Sequence, residues 1–277
     1  MINMECWNRE NRRTRTWRLT GFGALIRENY EYFSLPLGLF LFLFIWKTAS
    51  GFYPSFILPS PGEVWGRWQE FYRQRLFFHH FSATFLEAFG GFCLAAAIAL
   101  PLSYVLAGNP FLEKIFTPYI VGMQAVPIIA LAPLLVIWFG FGITSKVLVA
   151  ALAAFFPILT NGVVGFRETD PRFREMMAIM GAGRKTIFWK LEIPSALPVL
   201  FGGLKMGMTL SVIGAVVGEF AGAGRGLGYL VNSARGNFDT PLIFVALLLL
   251  ALLGIGFYLF LSGFEYLAVP WKRRQKG

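Results

Sequence analysis

Ionisable residues are scarce in this chain. Only 14% of its 277 residues are charged, where a soluble domain carries roughly 25%. That deficit excludes an ordinary water-facing globule, because too few polar side chains remain to cover its surface. Cysteine and histidine number two each. Cys6 lies in a basic N-terminal arm and Cys93 in an apolar run, and such a pair builds neither a disulfide framework nor a metal site. His79 and His80 are adjacent. Neighbours on a helix point about 100° apart, so they make a poor chelate, and an interfacial pair is expected. The motifs of nucleotide and hydrolytic chemistry are missing too. There is no Gly-rich loop ending in Lys-Ser/Thr, no His-Glu-x-x-His, no Cys-x-x-Cys and no Gly-x-Ser-x-Gly. No catalytic residue, metal or cofactor is expected. Nor do the first three apolar runs repeat in the last three, as the halves of many secondary transporters do.

Apolar residues, by contrast, make up 56% of the chain, with 30 Phe among them. So much apolar surface needs lipid. The runs place spans at about 34–50, 82–107, 115–139, 147–166, 197–220 and 242–267. A span of about 20 residues crosses a hydrocarbon layer of about 30 Å at about 1.5 Å per residue. The expected fold is therefore all-α: a polytopic membrane protein of about six transmembrane helices. Residues 1–33 form a basic arm, 34–271 the membrane domain and 272–277 a basic tail. The first run comes late and reads as a retained span, not as a cleaved signal. The third run contains Pro127 and Pro133 and should kink. Between the first two runs, residues 62–78 mix Trp65, Trp68, Phe71 and Tyr72 with Glu63, Arg67, Arg73 and Arg75, which suits an amphipathic helix at the interface.

The formal net charge is +10, but the basic residues sit in blocks between apolar runs. They speak for lipid headgroups and topology, not for nucleic acid. Six alternating spans put seventeen basic residues on the side of the termini, of Lys114 and of the segment from Arg167 to Lys190. Six fall on the other side: Arg67, Arg73, Arg75, Lys146, Arg225 and Arg235. The asymmetry predicts that both termini are cytoplasmic. Within the spans, Glu87, Lys205 and Glu219 are the ionisable residues that stand out. For Glu87 and Glu219 a functional role and a reach to the interface are equally open, and Lys205 reads as an interior packing or pairing residue. Glycines at spacing four (Gly203/Gly207, Gly214/Gly218, Gly218/Gly222) mark the fifth span as a bundle centre or dimer seam.

One polar segment interrupts this pattern: Glu175 to Pro198, EMMAIMGAGRKTIFWKLEIPSALP. Its helical signal begins at Asp170-Pro171, an N-cap followed by Pro at the first helical position, and a helix is expected over about 171–190. Glu175, five residues, Gly181, nine residues, then Leu191-x-Ile193-Pro194 resembles the cytoplasmic coupling motif of ABC importer permeases, with Met176 and Met177 in place of two alanines. LPSPGEVW (58–65), QAVPIIALAPLLVIWFGFGITSK (124–146), FFPILTNG (155–162) and GLGYLVNSARGNFDTP (226–241) are similar to the nitrate, sulfonate and taurine subfamily. That subfamily includes thiamine-pyrimidine-precursor and riboflavin relatives, towards which GAVVGEFAGAGRGLGYL (214–230) and Pro270-Trp271 lean.

The resemblance implies a type I importer permease, not itself an enzyme, in the cell (inner or plasma) membrane. Two permease chains, a homodimer here, would form the pathway. Two ATP-binding subunits would sit beneath, and an extracytoplasmic solute-binding protein would deliver the substrate. It also implies that Glu175, Ala178, Gly181 and Ala182 meet the ATPase, with Gly181 and Ala182 giving close approach. Ile187, Phe188 and Leu191 would be apolar anchors, and Pro194 would end the helix. For the pathway, Gln124, Trp138 and the bends at Pro127 and Pro133 are the first candidates, with Glu219 beside them. Trp138 would stack on a heteroaromatic ring and Gln124 would bind a polar edge. The substrate class left open is a heteroaromatic vitamin or precursor, nitrate, a sulfonate or taurine. An ion-coupled secondary transporter and a membrane scaffold are the competing readings.

Overall fold

The computed structural model describes residues 21–273, with side chains described for residues 36–271. Most of the basic arm expected at 1–33 and most of the tail at 272–277 lie outside the described residues. Every element among the described residues is helical. The chain divides into two compact units at Pro61/Gly62. The first holds α1, Gly21–Ser50. Across the expected boundary at residue 33 the described chain is one helix, Gly21–Ser50, which runs through Pro36. Leu39, Phe40, Leu41, Phe42, Leu43, Phe44 and Ile45 of α1, which circle the helix, are all exposed. A helix apolar on every side belongs in lipid, not against water. At its end Trp46 Nε1 donates to Pro59 O at 2.9 Å.

The second unit contains the rest. Helix α2 is Pro61–Arg73, α3 Leu76–Gly108, α4 Pro110–Gln124, α5 Ile128–Phe139 and α6 Ile143–Arg167. Helix α7 is Pro171–Ile179, α8 Arg184–Gly222, α9 Leu227–Gly236 and α10 Thr240–Ala268, before a closing 3-10 turn at Pro270–Arg273. Among the described residues, four helices (α3, α6, α8 and α10) are long and apolar enough to cross a membrane, and α4 with α5 makes a fifth if the bent pair is one span. The part of α1 whose side chains are described, Pro36–Ser50, is a further apolar helix.

Small residues decide how the centre packs. The core joins Ala88, Ala95 and Ala99 of α3, Ala150 and Ala154 of α6, and Met208, Val212 and Ala215 of α8. Leu253 and Phe257 of α10 close it from outside. In lipid there is little hydrophobic drive between helices, so close backbone approach and dispersion contacts hold them. The glycine seam of α8 lies against α6. A methyl built on Gly207 would stand 2.6 Å from Ile158, and one on Gly214 2.6 Å from Ala150 Cα. The expected bundle centre is thus the α6–α8 contact.

The third apolar run bends by 92° between α4 and α5. The cause is Pro127, which disfavours helical geometry at Val126 and stands as the cap of α5. Pro133, expected to bend the run as well, lies inside α5 without ending it. Lys205 meets its expectation: it pairs with Glu265 and sits 5.1 Å above the Tyr258 ring. Of the two histidines, His79 is exposed but His80 departs from the expected interfacial place. His80 is 7% exposed, accepts the Gly226 N–H at Nδ1 (3.2 Å) and stacks on Tyr229, so it is a core residue and not an interfacial one. Outside the bundle, Arg67 donates from Nε and Nη2 to Asp239 Oδ2 (2.9 and 2.6 Å), tying α2 to the start of α10. That hydrogen bond holds the guanidinium above its ordinary pKa.

Candidate coupling segment and translocation cavity

Helix α7 is defined by its two ends. Asp170 Oδ1 accepts the Arg172 N–H at 2.9 Å, with Pro171 at the first position. At the other end Gly181 takes φ +80°. Its N–H donates to Ala178 O and the Ala182 N–H to Met177 O, each at 3.0 Å. These are the paired bonds of a Schellman cap. The single helix expected over 171–190 is therefore two helices, parted at residues 180–183. Space around Gly181 is open within the chain, so the backbone turn is what requires glycine here.

Among its described residues α7 buries none. Glu175 and Ala178 are exposed as expected. So is an apolar stripe at helical spacing: Phe173 (54%), Met176 (50%), Ile179 (87%) and Met180 (77%). The expected anchors point the other way. Ile187 is buried, and Phe188 packs edge-on to Tyr104 at 4.9 Å and joins the cluster of Phe166, Ala196 and Leu200. Leu191 and Pro194 are half-buried. The stripe was legible as spacing three and four within EMMAIM, but α7 and α8 could not be told apart there.

Pro194 does not end a helix. Residues Phe188–Glu192 form a π turn, and α8 continues through Pro194 to Gly222. A proline clashes with the carbonyl four residues back and supplies no N–H, and a widened turn relieves both problems. At about 1.5 Å per residue the helix spans about 58 Å. One continuous helix thus runs from the α7 turn into the bundle and on to Gly222.

Halfway along α8, Met206 and Leu210 line a cavity of about 500 Å³ with Gln124 and Met123 of α4, Ile128 and Leu131 of α5, and Phe156, Thr160 and Asn161 of α6. The bend at Pro127 opens it. Of the expected pathway residues, Gln124 lines this cavity. Pro127 shapes it, Pro133 is exposed on α5, and Trp138 is 68% exposed and not among the lining residues. Thr160 and Asn161 were overlooked, although FFPILTNG shows two polar residues inside an apolar run. The lining carries no charged residue.

Glu219 is elsewhere, at the far end of α8, and is 2% exposed. Its Oε1 accepts from Thr84 Oγ1 at 2.6 Å, and its Oε2 from the Gly228 and Tyr229 N–H groups at 2.5 and 3.0 Å. Thr84 in turn accepts the Leu227 N–H at 2.7 Å. A carboxylate from α8 thereby caps the N-terminus of α9, where helix amides need acceptors. Gly226 (φ +123°) turns the chain over it, and any β-carbon there would collide with the carboxylate. Glu87, likewise buried, lies 3.9 Å from Lys146 Nζ, which also donates to Phe141 O at 3.1 Å. These buried carboxyl groups brace helices and do not line the cavity.

Residues 77–274 match the family described as "Binding-protein-dependent transport system inner membrane component". The chain is 48% identical over 252 residues to the riboflavin transport system permease protein of Chloroflexus aurantiacus, covering 90% of this chain and 94% of that one. It is 34% identical over 251 residues to the formylaminopyrimidine transport permease protein of Halalkalibacterium halodurans, covering 90% and 100%. In structure it resembles a chain of the inward-facing MetNI methionine ABC transporter, with a TM-score of 0.63 at 18% identity over 71% of this chain and 97% of that one. The last likeness concerns the fold. The chain belongs to the binding-protein-dependent inner membrane components and is the permease subunit of an ABC importer for a small solute.

Proposed function

We propose that two copies of this chain form a translocation pathway in the cell (inner or plasma) membrane, with both termini and α7 in the cytoplasm. Two ATP-binding subunits dock on the α7 pair, and an extracytoplasmic binding protein delivers the solute. The observation that carries this reading is α7 itself: capped at both ends, unpacked, and presenting Phe173, Met176, Ile179 and Met180 to solvent. Such an apolar stripe on an exposed helix fits a groove in a partner protein. Glu175, Ala178, Gly181 and Ala182 lie on or beside it. ATP hydrolysis resides in the partner, and the charge count over the loops favours this orientation. Labelling of a cysteine at Arg184 is expected from the cytoplasmic face only, and labelling from outside only would overturn the topology.

The substrate is a small neutral heteroaromatic, of the riboflavin or pyrimidine-precursor class. Gln124, Thr160 and Asn161 offer polar groups beside the Phe156 ring in an otherwise apolar cavity. A sulfonate or nitrate entering it would lose hydration without a cation to replace it. The relatives named for riboflavin and formylaminopyrimidine, at 48% and 34% identity, support the same choice. An ion-coupled carrier would want titratable groups in that cavity, and its lining has none. The test is uptake into liposomes holding the chain, its ATPase and the loaded binding protein. ATP-dependent riboflavin or formylaminopyrimidine uptake is expected. Gln124→Ala should lower it about tenfold, the effect of one lost hydrogen bond of about 1.4 kcal/mol. Uptake driven by a pH gradient without the ATPase, or taurine preferred over both, would sink the reading.

A further inference from the structure

The Glu192 carboxylate lies where three helices meet. It belongs to the π turn of α8 and is 7% exposed. Its Oε1 pairs with Arg174 Nη2 of α7 at 2.8 Å, and its Oε2 accepts from the Tyr104 hydroxyl of α3 at 3.1 Å. The Tyr104 ring is held edge-on by Phe166 and Phe188, at centroid distances of 5.2 and 4.9 Å. The phenol oxygen therefore has a fixed position. Beside the carboxylate is a hollow of about 520 Å³, lined in part by Tyr104, Arg174, Arg184 and Glu192. Since α7 buries no side chain, packing does little to join it to the bundle. Among the described residues, Arg174–Glu192 is the ion pair that does.

We propose that Glu192 is the positioning residue that locks α7 to α3 and α8, so that a displacement of α7 is passed to α3 through this one carboxylate. The inference rests on the reading of α7 as the ATPase-facing helix. Two oxygens let a carboxylate hold both neighbours at once. Glutamine offers one acceptor and cannot keep the ion pair. Arg174 is about half exposed, so in Glu192→Gln its guanidinium turns to water and no buried charge is stranded. That variant should insert normally and lose only the lock. Arg174→Gln, a change on an exposed helix, should do the same, whereas Arg174→Lys keeps a cation in reach and should preserve the behaviour of the parent chain.

The test uses the assembled complex, with Cys6 and Cys93 replaced by Ser and spin labels placed at Arg172→Cys on α7 and Val105→Cys on α3. Trapping with ATP and vanadate should leave the distance between these labels narrow and unchanged in the parent, because the helices move together. In Glu192→Gln and Arg174→Gln the trapped distance should shift and broaden. ATP hydrolysed per solute imported should rise about tenfold, within the range of coupling between distant sites. Identical distances and identical coupling in parent and both variants would overturn the lock alone. A parent complex that retains no ATPase would overturn the reading of α7, and the lock with it.

Discussion

Replacing Gly181 by valine should cut ATP-dependent uptake by a factor of about 5 to 30 while the membrane helices stay inserted. Gly181 holds φ +80° in the cap that ends α7. A left-handed residue with a β-carbon costs roughly 1–2 kcal/mol, and β-branching makes valine the worse case; that energy corresponds to the stated factor. The strained turn would tilt α7 away from its partner. Asparagine tolerates left-handed geometry better than most residues, so Gly181→Asn separates two causes. If the turn alone matters, Asn should retain most uptake. If a partner also approaches closely here, Asn and Gly181→Asp should both lose coupling, since the open space around Gly181 within the chain would then be filled by the ATPase. Uptake and ATPase co-purification measured together decide it. Parental uptake in Gly181→Val, with the ATPase bound, would remove Gly181 from the coupling machinery.

Glu219→Ala should destabilise the folded chain by at least about 3 kcal/mol, because it leaves buried donors without their acceptor. Three donors would lose their acceptor: the Thr84 hydroxyl and the Gly228 and Tyr229 amides. All lie where water has poor access, and an unsatisfied buried donor costs about 1–3 kcal/mol. Glu219→Gln retains one acceptor oxygen and should fall between. Thermal unfolding of the detergent-solubilised chain measures the loss, and protease sensitivity at residues 223–236 localises it. A Glu219→Ala chain as stable as the parent would show that the carboxylate does not brace α9. Glu219 was expected beside the pathway because an ion within a span is usually functional. Its role here is support at the end of the same helix that begins at the α7 turn.

Much of the fold was legible because lipid imposes a simple rule. Backbone groups in hydrocarbon must bond internally, so long apolar runs read directly as helices, and the glycine spacing marked the fifth span as a bundle centre or dimer seam, which the structure places against α6. Boundaries were less legible. Residues 21–33 are too polar to read as part of a span yet are helical, and Leu76–Phe81 extends α3 beyond the expected edge at residue 82. Prolines gave mixed signals. Pro127 bends the chain whereas Pro133 and Pro194 do not, because the outcome depends on whether neighbouring turns can widen or re-pair the freed carbonyls. No local pattern records that.

The sites divide in the same way. The sequence by itself determined that the chain is a helical membrane protein, that Asp170-Pro171 starts a polar helix, and that the spacing from Glu175 through Gly181 to Pro194 resembles a coupling motif. The first two follow from local chemistry, hydropathy and capping, and the third is a resemblance carried by the glycine and proline positions. Only the tertiary structure decided which way side chains face and which distant residues meet. It turned Ile187 and Phe188 inward and left Phe173, Met176, Ile179 and Met180 outside. It brought Gln124 to Thr160 and Asn161 across a 92° bend, and set Glu192 between Arg174 and Tyr104. Those partners are far apart along the chain, and their meeting depends on how closely glycine and alanine let the helices approach, which is a property of the packed bundle and not of any one segment.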